Sequence, residues 1–93
     1  MNPSDIKKIR ALAHPLKPVI LIGQSGLTDA VVNEIQLALD THELIKVKIR
    51  STDRQSRKEI SATICSTTEA ELIQSIGQII VLYRKNLKNE NSQ

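Results

Sequence analysis

The sequence predicts a single small α/β domain in the order helix, strand, helix, strand, helix, strand, strand, with the helices packed on a mixed four-stranded sheet. Its 93 residues are the usual length of one domain. Apolar residues recur at helical spacing in several segments, and the short apolar or alternating runs between them have strand length. Right-handed crossovers would make the first two strands parallel, so the helices that follow them would begin at the same edge of the sheet.

The chain opens with a predicted helix and a predicted strand. Ser4 can cap a helix that stops at His14, because a residue before proline avoids helical backbone angles. Two prolines then lead into the apolar run from Val19 to Ile22, which ends at Gly23. Its continuous apolarity predicts a strand that is buried on both faces.

The middle of the chain contains the clearest helix and the clearest strand. Thr28 is a suitable cap for an amphipathic helix that ends near His42. Leu44 to Arg50 then alternates between apolar and basic residues, which predicts a strand with one buried face. Its other face carries what we term the basic row: Lys46, Lys48 and Arg50.

A third helix and a hairpin complete the predicted domain. Ser51 or Thr52 can cap a helix that runs to about Thr67. The cations near the start of this helix are Arg54, Arg57 and Lys58. Gly77 is the expected hairpin turn, because strand-like residues precede and follow it. The strand-like runs are residues 72–73 and 79–83.

Composition limits the possible functions. Residues 1–85 form the predicted domain, and residues 86–93, which include one apolar residue, form a predicted flexible C-terminal tail. Thirteen Lys and Arg against ten Asp and Glu give a net charge of +3, which suits an anionic partner. Cys65 is the lone cysteine and cannot form an internal disulfide, and no leader or long apolar stretch is present. We therefore expect a cytoplasmic protein that does not contact a membrane.

The turn after the first strand is the first candidate binding site. We term it the glycine loop, and it comprises Gly23, Gln24, Ser25 and Gly26. Its glycines let a ligand approach the backbone, and the free amides of the following helix can donate to phosphate oxygens. The spacing alone also fits a strand-to-helix turn with no ligand, and two glycines three residues apart are a weak motif.

The basic row is the second candidate site. Alternate positions of a strand lie about 6.7 Å apart, so three cations repel one another unless a negative group compensates them. Glu59 or Glu71 could do so within the fold, and a solvated strand face is an equal alternative. Arg54 and Arg57 strengthen the case, because cations at a helix start oppose its dipole and are easier to explain if they serve an external anion.

The sequence offers little for catalysis. The glycine loop lacks the lysine of a phosphate-binding ATPase loop and the third glycine of a dinucleotide fingerprint. No residues have metal-ligand spacing, and His14 and His42 are better explained by their positions near helix ends. We therefore expect no catalytic residue, no metal and no cofactor, and the protein is predicted not to be an enzyme.

Four segments in this order closely resemble the CRM domain, the chloroplast RNA splicing and ribosome maturation domain. They are residues 12–18, 23–28 and 43–49 and the ending from Ile76 through Arg84. The resemblance covers about residues 4–85, and a single free-standing copy is similar to the bacterial YhbY family. It implies a fold like that of the C-terminal domain of translation initiation factor three.

The resemblance also implies a function in ribosome assembly. It implies RNA binding, with association to rRNA in precursors of the large (50S) ribosomal subunit, and contact between RNA and the glycine loop in the manner of KH domains. Gln24 and Ser25 are neutral, so the charge must come from the basic row and from Arg54 and Arg57. The alternative is a protein-interaction module that docks an acidic ribosomal or assembly partner. The sequence does not decide the oligomeric state or whether RNA contacts three further cations: Lys58, Arg84 and Lys85.

Overall fold

Seven elements follow one another in the predicted order in the computed structural model, which describes residues 2–51 and 53–85. The helices are α1 (Pro3–Ala13), α2 (Asp29–His42) and α3 (Arg54–Thr68). The strands are β1 (Ile20–Ile22), β2 (Leu44–Ile49), β3 (Glu71–Ile76) and β4 (Ile79–Tyr83). None of the described helices is long and apolar enough to cross a membrane. The predicted tail, residues 86–93, lies outside the described residues.

The four strands form one mixed sheet in the order β1-β2-β4-β3. β1 is parallel to β2, as predicted, whereas β4 runs antiparallel to both β2 and β3. The backbone N–H of Arg50 donates to the carbonyl oxygen of Ile22 at 2.8 Å, and that of Ile49 donates to Gln78 at 2.7 Å. The ends of β1 and β2 and the β3–β4 turn therefore meet at one end of the sheet, which we term the loop end.

The two faces of the sheet are covered unequally. α2 and α3 cover one face with the larger aliphatic core, in which Ile22, Ile35 and Val47 are fully buried. α1 packs over β2 and β3 on the opposite face, where Ala13 is buried in a smaller cluster with Ile73 and Val81. The buried alternation along β2 confirms the predicted half-buried strand.

The prediction that β1 is buried on both faces is wrong. Ile20 and Ile22 point into the larger core, whereas Leu21 is 52% exposed and Val19 is 55% exposed. The reason is that β1 is an edge strand that α1 does not cover. The apolar run 19–22 therefore forms a strand with one open face.

The helix caps agree with the sequence only in α2. Thr28 accepts a hydrogen bond from the backbone of Val31, as predicted. α1 is capped by Asn2 and not by Ser4, because Pro3 takes the first helical position. α3 is capped by Asp53, which excludes Ser51 as its cap, and Thr52 lies outside the described residues.

Arg84 ties together α2, α3 and β4, and it is therefore a structural residue. Its backbone N–H donates to the carbonyl oxygen of Glu43 at 2.9 Å. Its guanidinium donates to the carbonyl oxygen of Thr68 at 2.9 Å and to the carboxylate of Asp40 at 2.6 Å. The same group also donates to the side-chain and backbone oxygens of Gln36. The arginine side chain is only 20% exposed and the Asp40 side chain is 66% exposed, so the carbonyl oxygen of buried Thr68 depends on this donor more than the carboxylate does.

Replacing Arg84 with methionine should destabilise the domain. The variant keeps much of the aliphatic packing but leaves the carbonyl oxygen of Thr68 without this donor, so we expect the free energy of unfolding to fall by about 2–3 kcal/mol. Urea denaturation monitored by circular dichroism measures this change. Arg54→Met is the matched control, because Arg54 is exposed, and it should change the value by less than about 0.5 kcal/mol. Equal losses in the two variants would contradict the structural role.

Candidate nucleic-acid interface

The glycine loop links β1 to α2 at the loop end of the sheet. The backbone N–H of Gly26 donates to the carbonyl oxygen of Gly23 at 3.1 Å, which closes the turn. Gly26 has a φ of 75°, a left-handed backbone conformation that residues with a Cβ rarely adopt. A Cβ placed at either glycine would meet nothing within 4 Å, so the loop backbone is open to an approaching ligand.

Strand pairing within the sheet places the glycine loop next to two residues of the basic row, Lys48 and Arg50. Because the Arg50 backbone is hydrogen-bonded to Ile22, Arg50 lies beside the residue that precedes Gly23. Lys48 is half-buried and pairs in register with Leu21 of β1, one position before the loop end. The parallel pairing thus places two cations and the glycine loop on one rim, as the sequence predicted.

Lys46 lies farther from the glycine loop and forms hydrogen bonds within the protein. It is two residues before Lys48, about 6.7 Å back along the strand. Its ammonium donates to the carbonyl oxygens of His14 and Leu16 at 3.2 and 3.0 Å. Lys46 therefore anchors the segment between α1 and β1, and a contact between Lys46 and RNA stays a prediction.

The start of α3 adds further cations to the loop end. Arg54 and Lys58 are exposed and line an open groove of about 900 Å³ between α3 and the β3–β4 hairpin. Arg57 lines the same groove, but its guanidinium donates to the carbonyl oxygen of Ser51 at 2.6 Å. Of these cations, Arg54 and Lys58 are thus the better placed to reach an external anion.

Asp53 changes the electrostatic argument for these cations. Its carboxylate accepts hydrogen bonds from the hydroxyl of Ser56 at 2.7 Å and the backbone of Gln55 at 3.2 Å. These bonds, the Ser56 bond first, lower the pKa of Asp53 below its ordinary value of 3.8, so the carboxylate is ionised at neutral pH. The negative charge of Asp53 interacts favourably with the positive end of the helix dipole. It offsets the unfavourable interaction that we expected from the sequence between this dipole and the cations Arg54 and Arg57. The unfavourable placement of cations is therefore a weaker argument for an external anion than their shared position at the loop end.

The carboxylates suggested as counter-charges for the basic row lie elsewhere. Glu71 begins β3 and pairs in register with Tyr83, at the end of the sheet away from the glycine loop. Glu59 belongs to α3, on the opposite face from the Lys48 side chain, and accepts a hydrogen bond from Gln55. Neither carboxylate compensates Lys48 within the sheet.

The described residues do not include a group that could hold a metal ion. No three His, Cys, Asp or Glu residues of segments 2–51 and 53–85 are grouped so that they could hold a metal ion. Cys65 is half-buried and packs against the larger core. Burial raises the pKa of its thiol, and the carboxylate of Glu71 raises it further. The thiol is therefore a poor nucleophile at neutral pH.

Comparison with known proteins identifies the family of this chain. The family model of the CRS1/YhbY (CRM) domain matches residues 1–84. The chain belongs to this family. It is 41% identical over 86 residues to a probable RNA-binding protein of Pseudomonas aeruginosa, covering 91% of this chain and 83% of that protein. It is 47% identical over 76 residues to an RNA-binding protein of Haemophilus influenzae, covering 82% of this chain and 77% of that protein.

A solved CRM-family structure has the same fold. The solution structure of a Staphylococcus aureus protein, a candidate RNA-binding protein, superposes with a TM-score of 0.81 at 33% identity. The match covers 91% of this chain and 88% of that protein. The predicted family and the predicted α/β architecture are therefore both confirmed.

The sequence interpretation missed one surface of this CRM domain, the sheet face that α1 leaves uncovered. Leu21, Ile76 and Ile79 lie on this face beside Lys48, and Leu21 and Ile76 are more than half exposed. From sequence alone, apolar residues in a strand are expected to be buried. Their exposure becomes evident only when the order of the strands and the position of α1 are known. No signal in the sequence reveals this surface, because its exposure depends on where α1 packs on the sheet.

Proposed function

We propose that this protein is a cytoplasmic ribosome assembly factor that binds rRNA in precursors of the large (50S) subunit and catalyses no reaction. The observation that carries the proposal is the shared position of the glycine loop, Lys48 and Arg50 at the loop end of the sheet. Membership of the CRM family and the RNA-binding names of its relatives support RNA as the polyanion that this rim contacts.

The proposed mechanism divides the work between backbone amides and cations. The glycine loop leads directly to the start of α2, where amides and the positive end of the helix dipole favour a phosphate group. Lys48 and Arg50 attract the neighbouring phosphates, and Arg54 extends the positive surface toward α3. Contacts of this kind fix the position of an RNA backbone and carry little sequence information.

The proposed RNA contacts differ in how readily each side chain can reach RNA. All nine sequence-predicted residues remain in the proposal: Gly23, Gln24, Ser25, Gly26, Lys46, Lys48, Arg50, Arg54 and Arg57. Lys46 and Arg57 already donate to backbone carbonyls, so we expect them to contribute less to affinity than Lys48, Arg50 and Arg54. A cation that must first leave an intramolecular partner gains less from binding.

Crosslinking in cells tests the proposed RNA target. Ultraviolet crosslinking of the full chain, followed by sequencing of the attached RNA, should recover large-subunit rRNA. The protein should also sediment with particles smaller than mature 50S subunits and should leave them after ribonuclease treatment. Co-sedimentation that survives complete digestion of the RNA would instead identify an acidic protein partner as the primary contact.

Salt dependence tests the part played by Arg50. Neutralising one phosphate-binding cation removes about one unit from the slope of log Kd against log salt, so Arg50→Gln should make that slope shallower by about one. Fluorescence anisotropy with an rRNA fragment measures this slope. Lys8→Gln is the matched control, because Lys8 lies near Tyr83 at the opposite end of the sheet and should leave the slope unchanged. Equal slopes for wild type and both variants would remove Arg50 from the interface.

Gly23→Ala tests whether RNA approaches the loop backbone. Gly23 has no positive φ, and its added Cβ meets no neighbouring atom, so the variant should keep the wild-type thermal midpoint. The methyl group would stand where we place the RNA backbone, so we expect affinity to fall about tenfold, or about 1.4 kcal/mol. Gly26→Ala is a less clean test, because its left-handed φ adds backbone strain. Wild-type affinity in Gly23→Ala would exclude close contact at this glycine.

A further inference from the structure

The sheet face that α1 leaves uncovered lies next to the proposed RNA-binding rim. Side chains of one cross-strand row near the loop end occupy it: Leu21, Lys48, Ile79 and Ile76. We term this row the open face. It crosses all four strands, a width of about 14 Å at ordinary strand spacing. Leu21 is 52% exposed and Ile76 is 63% exposed, so the row presents apolar surface to solvent on both sides of a cation.

A partly open pocket lies on the surface of the sheet beside this row. Ile76, Ile79 and Val81 contribute its apolar part, and the remaining lining side chains are polar: His14, Lys46 and Gln74. Its volume of about 190 Å³ is more than a single water molecule or small ion needs. Because the Lys46 ammonium bonds the His14 carbonyl, the position of His14 at the rim of this pocket is fixed.

The chemistry of the pocket fits a flat heteroaromatic ring. Gln74 is half-buried, and its side-chain amide makes no hydrogen bond within the described part of the chain. Such an amide can donate and accept together, which is how it pairs with the edge of a base, while aliphatic side chains pack against the ring. None of the lining side chains is acidic, so nothing in the pocket repels the phosphates that accompany a base.

We propose that this pocket receives an unpaired nucleobase of the bound RNA, with Ile76 and Ile79 packing on the ring and Gln74 bonding its edge. The inference rests on the proposed function, because the glycine loop and Arg50 would hold the phosphates that carry the base. Continuity with the basic row favours RNA over an apolar protein segment, since Lys48 lies within the open face and Lys46 lines the pocket. The base contact adds a preference for single-stranded RNA that the phosphate contacts alone do not provide.

The test compares RNA with and without bases. The probes are a fluorescein-labelled oligoadenylate of about ten nucleotides and an abasic strand with the same ribose-phosphate backbone. We expect the wild-type full chain to bind the oligoadenylate at least about fivefold more tightly, the lower end of what one packed base contributes. Ile76→Ala and Gln74→Leu should reduce this ratio toward one and leave the affinity for the abasic strand unchanged.

Leu37→Ala is the matched control for Ile76→Ala. Leu37 is a similarly exposed aliphatic residue, 67% exposed, on α2 at the opposite face of the sheet, so its variant should keep the wild-type ratio. Thermal unfolding of each variant checks that the fold is intact. Arg50→Gln should weaken the binding of both strands by the same factor, which separates phosphate contacts from base contacts.

The outcomes distinguish this inference from the proposed function. Equal, salt-dependent binding of both strands by the wild-type protein would overturn the base pocket and leave the phosphate-binding rim standing. A preference for the oligoadenylate that persists in Ile76→Ala and Gln74→Leu would place the base elsewhere and also overturn the pocket. Binding of neither strand, together with no rRNA crosslink in cells, would overturn both proposals.

Discussion

The parallel pairing of β1 with β2 determines where each candidate contact lies. The hydrogen bond from Arg50 to Ile22 fixes the two strand ends side by side, and the helices that follow both strands start from the same end of the sheet. A right-handed connection through α2 is the common way to join two such strands. Antiparallel pairing would send Arg50 to the far end of β1 and separate it from Gly23. The proposed interface is therefore a consequence of topology before it is a consequence of charge.

The sequence predicts best those features that depend on neighbouring residues. The alternation from Leu44 to Ile49 and the cap at Thr28 are both local patterns, and the structure confirms both. The caps of the other two helices differ from the prediction because several polar residues compete within one turn, and the strongest local acceptor is not evident from residue type alone. The exposure of Leu21 was not predictable either, because it depends on the reach of α1, a separate element.

The basic residues show more clearly that the sequence does not reveal contacts between residues far apart along the chain. Arg84 and Arg54 are the same residue type, yet Arg84 binds groups on α2 and at the end of α3, whereas Arg54 is exposed. Lys46 and Lys48 occupy equivalent positions of one strand, yet within the described residues it is Lys46 that donates to carbonyl oxygens of the α1–β1 segment. These acceptors are backbone oxygens or side chains at least sixteen positions away along the chain, and no spacing rule reveals them. A count of basic residues thus overstates the surface available to RNA.

The strand order leaves β1 and β3 as the edges of the sheet, and the two edges differ in their capacity to recruit a second chain. β1 is only three residues long, which offers little backbone for another strand to join. β3 is six residues long and carries exposed Leu72, but its register against β4 shifts between Leu72 and Gln74. A bulge of this kind bends the strand and interrupts the regular spacing of its outward-facing amides. This irregularity therefore works against edge-to-edge pairing of β3 with a second chain.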